Sequence, residues 1–328
     1  MTGILITLYS KVRFREEEMS KIYHSIIELI GHTPLVELHG LERELDTTAH
    51  IYAKLEFFNP SGSVKDRTAL NMITDKEEQG LLKPGGTIIE GTSGNTGIGV
   101  AAIGAAKGYN VKICMPDNLS AERTRILKAF GAEVYHTDGA LSMGGAGAKV
   151  AELLETTDGA VTLAQGANPK NPEAHYKTTG PEIWEDTDGN VDIFVAASGT
   201  GGTVSGAGKY LKEKKADIKV IGVEPTGNAV LNGGEPGPHK IQGIGGGPTP
   251  PATDESIFDE VIDVTDDDAY KYARLIPKIE GFTIGISAGA AIRAVAEVAK
   301  REENAGKNIV VIIPDSGDHY LSGDLYDE

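Results

Sequence analysis

The strongest constraint on the fold is an alternation that runs almost the length of the chain, in which short apolar or β-branched runs are each followed by a helical pattern. The expected strands are Ile51–Leu55, Thr87–Glu90, Val111–Met115, Glu133–His136, Val161–Leu163, Ile193–Ala197, Val220–Val223, Glu260–Val264 and Ile309–Ile313. The helical stretches are Gly97–Lys107, Ala121–Phe130, Gly145–Glu155, Glu173–Trp184, Val204–Lys214, Asp267–Ile276 and Ala288–Glu302, with Ser120 and Thr265 placed to cap free amides. Strands separated by helices pair in parallel and are covered by their crossovers, so the pattern predicts an α/β protein with mainly parallel sheets. No repeat with a period of about 20–50 residues interrupts it. The one long irregular segment, Asn232–Pro251, is rich in Gly and Pro. Long loops of this kind in compact domains are commonly functional.

The 328 residues suffice for two domains or one large α/β unit. With 31 basic against 48 acidic residues, the formal charge is -17, which argues against nucleic acid or an anionic membrane as the main partner. A local positive pocket for a small anion remains compatible with that balance. The single cysteine, Cys114, lies inside the apolar run Val111–Met115 and reads as a buried strand thiol. One cysteine forms no intrachain disulfide, which suits a reducing cytoplasm. No apolar run approaches the roughly 18 residues needed to cross a bilayer. The opening Met1–Leu8 has no basic residue before its apolar patch and no small-residue cleavage site, so it makes a poor signal peptide. Met19 begins a more ordinary amphipathic start, so residues 1–18 are read as an N-terminal extension or a start-site artefact.

Glycine clusters fall where strands end, and in parallel sheets ligands bind beyond those ends. Asn59-Pro-Ser-Gly-Ser-Val-Lys65 places a lysine directly after a Gly-permitted turn. Such an amine becomes nucleophilic when it is held away from water with its pKa lowered, although a Lys-Asp-Arg run by itself is most often a solvated helix start. After the strand ending at Glu90 comes Gly91-Thr-Ser-Gly-Asn-Thr-Gly97, richer in hydroxyls than capping requires, which reads as a site for a carboxylate. Ser198-Gly-Thr-Gly-Gly-Thr-Val-Ser-Gly-Ala-Gly208 follows Ile193–Ala197 and reads as backbone wrapped around one phosphate. Val204 stands where a dinucleotide fingerprint needs its third glycine, so Glu224 on the next strand only imitates a ribose contact. Ser287 opens a helix and, taken alone, reads as an N-cap. His32 and His175 read as hydrogen-bonding core or interface residues, and no His/Cys/Asp spacing points to a metal. A reactive lysine, a carboxylate loop and a monophosphate cup together specify pyridoxal 5′-phosphate.

On these residues the chain resembles the cysteine synthase (O-acetylserine sulfhydrylase) and cystathionine β-synthase family, fold type II pyridoxal-phosphate enzymes of tryptophan-synthase-β type. The resemblance spans roughly Ile22 to Ser322. It rests on Ile30-Gly-His-Thr-Pro-Leu-Val36, Pro60–Arg67, Thr92–Gly97, Thr178–Trp184, the glycine cup, Ile241–Gly245 and Pro314-Asp-Ser-Gly317. It implies two three-layer α/β/α domains. Residues 59–168 would form a smaller mobile domain carrying the substrate loop, and 19–58 with 169–328 a larger domain carrying the cup.

The resemblance implies that Lys65 holds the cofactor as a Schiff base and that Asn95 bonds its ring hydroxyl. Gly199, Thr200, Gly201, Gly202 and Thr203 would hold the phosphate, and Ser287 would face the ring nitrogen. Thr92, Ser93, Gly94, Asn95, Thr96, Gln165 and Gly243 would form the substrate side. The implied reaction makes L-cysteine from O-acetyl-L-serine and sulfide with release of acetate. The alternatives are cystathionine β-synthase, which would use homocysteine with serine or O-acetylserine, and a scaffold that docks the tail of serine acetyltransferase. A homodimer is implied as well. The chain departs from the cysteine synthase pattern at Gly166-Ala167 and in Gly243–Pro248, where bulkier or aromatic residues are usual, and both departures should open the pocket.

Overall fold

The structure, a computed structural model, describes residues 22–92, 94–117 and 121–327. The proposed extension 1–18, the substrate-loop residue Ser93 and the capping residue Ser120 lie outside the described residues. In chain order the elements are β1 (Leu35–Glu37), α1 (His39–Leu45), β2 (His50–Leu55), α2 (Lys65–Glu78), β3 (Thr87–Gly91), α3 (Asn95–Lys107), β4 (Asn110–Pro116), α4 (Ala121–Ala129), β5 (Glu133–Thr137) and α5 (Ser142–Thr156). There follow α6 (Lys170–Lys177), α7 (Thr179–Asp186), β6 (Ile193–Ala197), α8 (Gly202–Lys214), β7 (Lys219–Pro225), β8 (Glu260–Val264), α9 (Asp266–Glu280), α10 (Ile286–Ala299) and β9 (Asn308–Ile313).

Two sheets result. The larger has six strands in the order β1-β2-β9-β6-β7-β8, parallel except for the antiparallel edge pair β1 and β2. The smaller has three parallel strands in the order β3-β4-β5. The last strand of the chain, β9, lies inside the larger sheet between β2 and β6, and Ile309–Ile313 are buried throughout. An unbroken Ile-Val-Val-Ile-Ile run is what a strand covered on both faces requires. Helix α10 is buried almost all round, and its small residues let it pack closely. At Gly289 a Cβ would come within 2.1 Å of the Ala269 carbonyl on α9. Among the described residues no helix is long and apolar enough to cross a membrane.

Three expectations change. Val161–Leu163 contributes only an isolated bridge, Ile88 to Val161, because Leu163 and the residues after it turn to bond the Glu90 side chain. The predicted helix Glu173–Trp184 breaks into α6 and α7 at Thr178, whose φ of -127° and ψ of -67° are not helical. Ser287 is no N-cap: Gly285 holds that position with extended backbone, and Ser287 lies inside the first turn of α10. Thr265 does cap α9, its hydroxyl accepting from the Asp268 amide.

Candidate active site

The lysine turn is built on a buried polar foundation. Gly62, at φ +85°, makes the bend that few other residues adopt. Asn59 accepts from the Gly31 amide at 2.8 Å and donates to both the carbonyl and the side chain of Glu56. Asp66 receives the Ser61 amide and hydroxyl, and burial pushes its carboxyl up to about 6. Arg67 makes two-pronged pairs with Glu56 and with Glu182. Lys54, also buried, joins Glu182 and Asp186. The Lys-Asp-Arg run is therefore a helix start with Asp66 and Arg67 buried and Lys65 half-buried at the cavity, not a solvated one. Geometry this well paired is what makes enclosed charges tolerable.

Lys65 is the first residue of α2 and lines the cavity above this foundation. Removal from water holds its amine below the ordinary lysine range, and the nearby Asp315 carboxylate opposes that shift. The amine is thus closer to its neutral, nucleophilic form than a surface lysine.

Two helix N-termini face the same cavity. At α3 the N-cap is Gly94, which has no side chain with which to cap the helix. Instead Thr96 donates to Gln165 Oε1 at 2.6 Å, and Asn95 reaches across to Asp315. Gln165 is fixed in turn by Glu90, whose buried carboxylate collects the Thr162 hydroxyl and the amides of Leu163, Ala164 and Gln165. Burial holds the Glu90 carboxyl above its usual range despite those bonds.

At α8 the N-cap is Gly201 at φ +73°, again without a side-chain cap. The backbone passes so close to its neighbours that a Cβ at Gly199 would lie 2.6 Å from the Gly243 carbonyl. Asn171 donates to the Thr200 hydroxyl at 2.8 Å, Thr253 donates to the Thr200 carbonyl, and His175 Nε2 lies 3.2 Å from the Thr203 hydroxyl. His175 is fully enclosed, and burial, helped by the positive charges of Arg67 and Lys65, keeps its ring neutral. First-turn amides without internal partners, at a tight turn, form an anion seat.

The cavity between these ends measures about 710 Å³. Its walls include Lys65, Thr92, Gly94, Asn95, Thr96, Gln165, Gly199, Thr200, Thr203, Gly243 and Ser287. Gly201 and Gly202 stand behind this surface, at the start of α8. Gly166, Ala167, Gly246 and Pro250 form a wall with little side chain. The donor set fits pyridoxal phosphate: an amine of lowered pKa, one seat for a phosphate, a second for a carboxylate and a neutral hydroxyl between them.

The sequence signature of the pyridoxal-phosphate dependent enzymes matches residues 26–315. The chain belongs to that family. A cysteine synthase of Staphylococcus aureus is 48% identical over 303 residues, covering 92% of this chain and 96% of the relative. Among solved structures, the Entamoeba histolytica cysteine synthase superposes with a TM-score of 0.91 at 48% identity, over 95% of both chains. A hydrogen sulfide-producing enzyme of Fusobacterium nucleatum gives 0.89 at 43% identity, over 92% of this chain and 99% of that one. The two-sheet α/β architecture is thus the fold type II arrangement of the family.

Family likeness does not absorb every polar residue packed around the site. Asp315, His319, Glu90, Asn171 and Thr253 had no role in the sequence reading, because each acts through residues distant in the chain. Asp315 alone carried a signal, as part of Pro314-Asp-Ser-Gly317. Glu224 accepts the amides of Leu231 and Asn232 and so fixes the start of the long irregular segment. His32 is exposed, its backbone bonded to Glu182. Cys114 is buried in β4, and burial pushes its thiol up to about 11.

Proposed function

We propose that the protein is a cysteine synthase: it makes L-cysteine from O-acetyl-L-serine and sulfide and releases acetate. The observation that carries this reading is a single cavity in which an amine of lowered pKa stands between two uncapped helix N-termini. One seat suits the cofactor phosphate and the other the substrate carboxylate.

Lys65 would carry the cofactor, with Gly199, Thr200, Gly201, Gly202 and Thr203 around its phosphate and Ser287 at its ring nitrogen. Bound there, pyridoxal phosphate supplies an aldehyde for amines and a ring that accepts electrons from Cα. Thr92, Ser93, Gly94, Asn95 and Thr96, with Gln165 and Gly243, would orient the substrate. Lys65, displaced by the substrate amine, would take the Cα proton. A hydroxyl at the ring nitrogen withholds the charge a carboxylate would place there, which favours loss of a β-substituent over transamination. Residues 59–168, containing the three-stranded sheet, would close on the carboxylate and exclude water. The proposal includes a homodimer in a reducing cytoplasm, and docking of a serine acetyltransferase tail in the same cavity.

A second reading, addition of homocysteine, is favoured by the wall at Gly166, Ala167, Gly246 and Pro250. Steady-state rates with sulfide and homocysteine, each against O-acetylserine and serine, separate the two. A wide preference for homocysteine would overturn the first. Borohydride reduction followed by peptide mapping should place the cofactor on Lys65, and a label elsewhere would refute the whole site.

A further inference from the structure

The segment after β9 does more than close the cavity. The Val64 amide donates to the Pro314 carbonyl at 2.8 Å, and Ser63 bridges Asp315, so this segment is laced to the lysine turn. Asp315 is buried, and its Oδ2 accepts from the Tyr320 hydroxyl and from Asn95 Nδ2, both at 2.7 Å. Among the described residues its Oδ1 has no hydrogen-bond partner, and it lies against Gly285, where a Cβ would come within 2.0 Å. On the other side of the same amide, His319 Nδ1 stands 3.1 Å from Asn95 Oδ1. The His319 ring packs at the back of the lysine turn, where a Cβ on Gly62 would lie 3.2 Å from Nε2.

These contacts leave one consistent arrangement of hydrogens. A carboxylate only accepts, so the NH₂ end of Asn95 must face Asp315. Its carbonyl oxygen then faces His319, and an oxygen acceptor can be met only by an N–H. His319 therefore carries its proton on Nδ1. Asn95 is tied at its oxygen and at one of its two N–H bonds, and it lines the cavity beside Lys65.

We propose that Asp315 and His319 are positioning residues that clamp the Asn95 amide from both ends, so that its remaining N–H is presented to the ring oxygen of the bound cofactor. This rests on the reading of the cavity as a pyridoxal-phosphate site. The clamp joins β3–α3 of the smaller sheet to the segment following β9 of the larger. It thereby couples the cofactor's ring oxygen to the closeness of the two.

The test is equilibrium binding to cofactor-stripped protein of two probes, pyridoxal 5′-phosphate and its 3-deoxy analogue, which lacks the ring oxygen. Loss of one clamping hydrogen bond in His319→Ala should weaken the natural cofactor about tenfold and leave the analogue within about twofold. His319→Asn, whose amide can place an N–H near the Nδ1 position, should restore most of the difference. Long-range proton–nitrogen NMR of the cofactor-free wild type should show His319 protonated on Nδ1, which checks the clamp without any substitution. Equal weakening of both probes, or a neutral ring protonated on Nε2 alone, would overturn the inference. Failure of the wild type to bind pyridoxal 5′-phosphate at all would instead refute the reading of the cavity.

Discussion

The two helix N-termini that meet in the cavity share one design, a strand, a glycine-containing loop and then a helix with no side-chain cap, yet they are supported differently. The cup at α8 is packed from behind: a Cβ at Gly202 would come within 1.9 Å of Asn171, and Thr200 and Thr203 are each held by a buried partner. At α3, no described residue comes within 4 Å of where a Cβ on Gly94 would be. Its neighbours are held by bonds that reach away from the helix, Asn95 to Asp315 and Thr96 to Gln165. The same backbone motif serves once as a fixed seat and once as a surface with room to adjust, because packing behind a loop sets its stiffness.

Substitutions can break that contrast. The largest effect is expected from Lys65→Ala, which serves both ends: turnover should fall by at least about 10³-fold, and borohydride should no longer fix cofactor to the chain. Next is the foundation under the lysine turn. Burial alone would raise the Glu182 carboxyl, but hydrogen bonds and charge from Arg67, with Lys54, overcome this and hold it at about 2. A carboxyl held below its unfolded value stabilises the fold fully above about pH 4.5, and the contribution is lost as pH falls toward 2. Glu182→Gln should cost on the order of 3 kcal/mol at pH 7, and the acid limb of the stability profile between about pH 5 and 2 should flatten, as read by urea titration at each pH.

Gly202→Val strikes the fixed seat. Cofactor affinity measured by absorbance titration should drop about 100-fold, since Asn171 cannot retreat without losing Thr200. Thr96→Val strikes the adjustable one by removing the bond to Gln165. KM for O-acetylserine should rise about tenfold with cofactor affinity unchanged. The smallest effect is Gly94→Ala, where open space should hold both constants within about threefold. A loss of cofactor affinity at Gly94 comparable to that at Gly202 would erase the distinction.

Much of the architecture was legible in the chain. Ile193–Ala197 coincides with β6 because an interior parallel strand is a continuous apolar run, and Glu260–Val264 coincides with β8, an edge strand in which buried Ile262 and Val264 flank exposed Asp263. Helix α2 was not legible as a helix. It buries Asp66 and Arg67 at positions where a 3.6-residue pattern expects apolar side chains. Their partners, Ser61, Glu56 and Glu182, lie 5, 11 and 115 residues away.

Local chemistry by itself therefore determined the strand–glycine–helix units, the lysine turn and the kind of group each loop could hold. These follow from backbone conformations that glycine permits and from amides that short helices leave free. Only the tertiary structure decided that Asp315 and His319 reach Asn95, that Glu90 fixes Gln165, and that one anion seat is packed while the other is open. Each depends on which strands become neighbours, and hydrogen bonds between segments more than two hundred residues apart, such as Asn95 to Asp315, leave no periodic trace in the sequence.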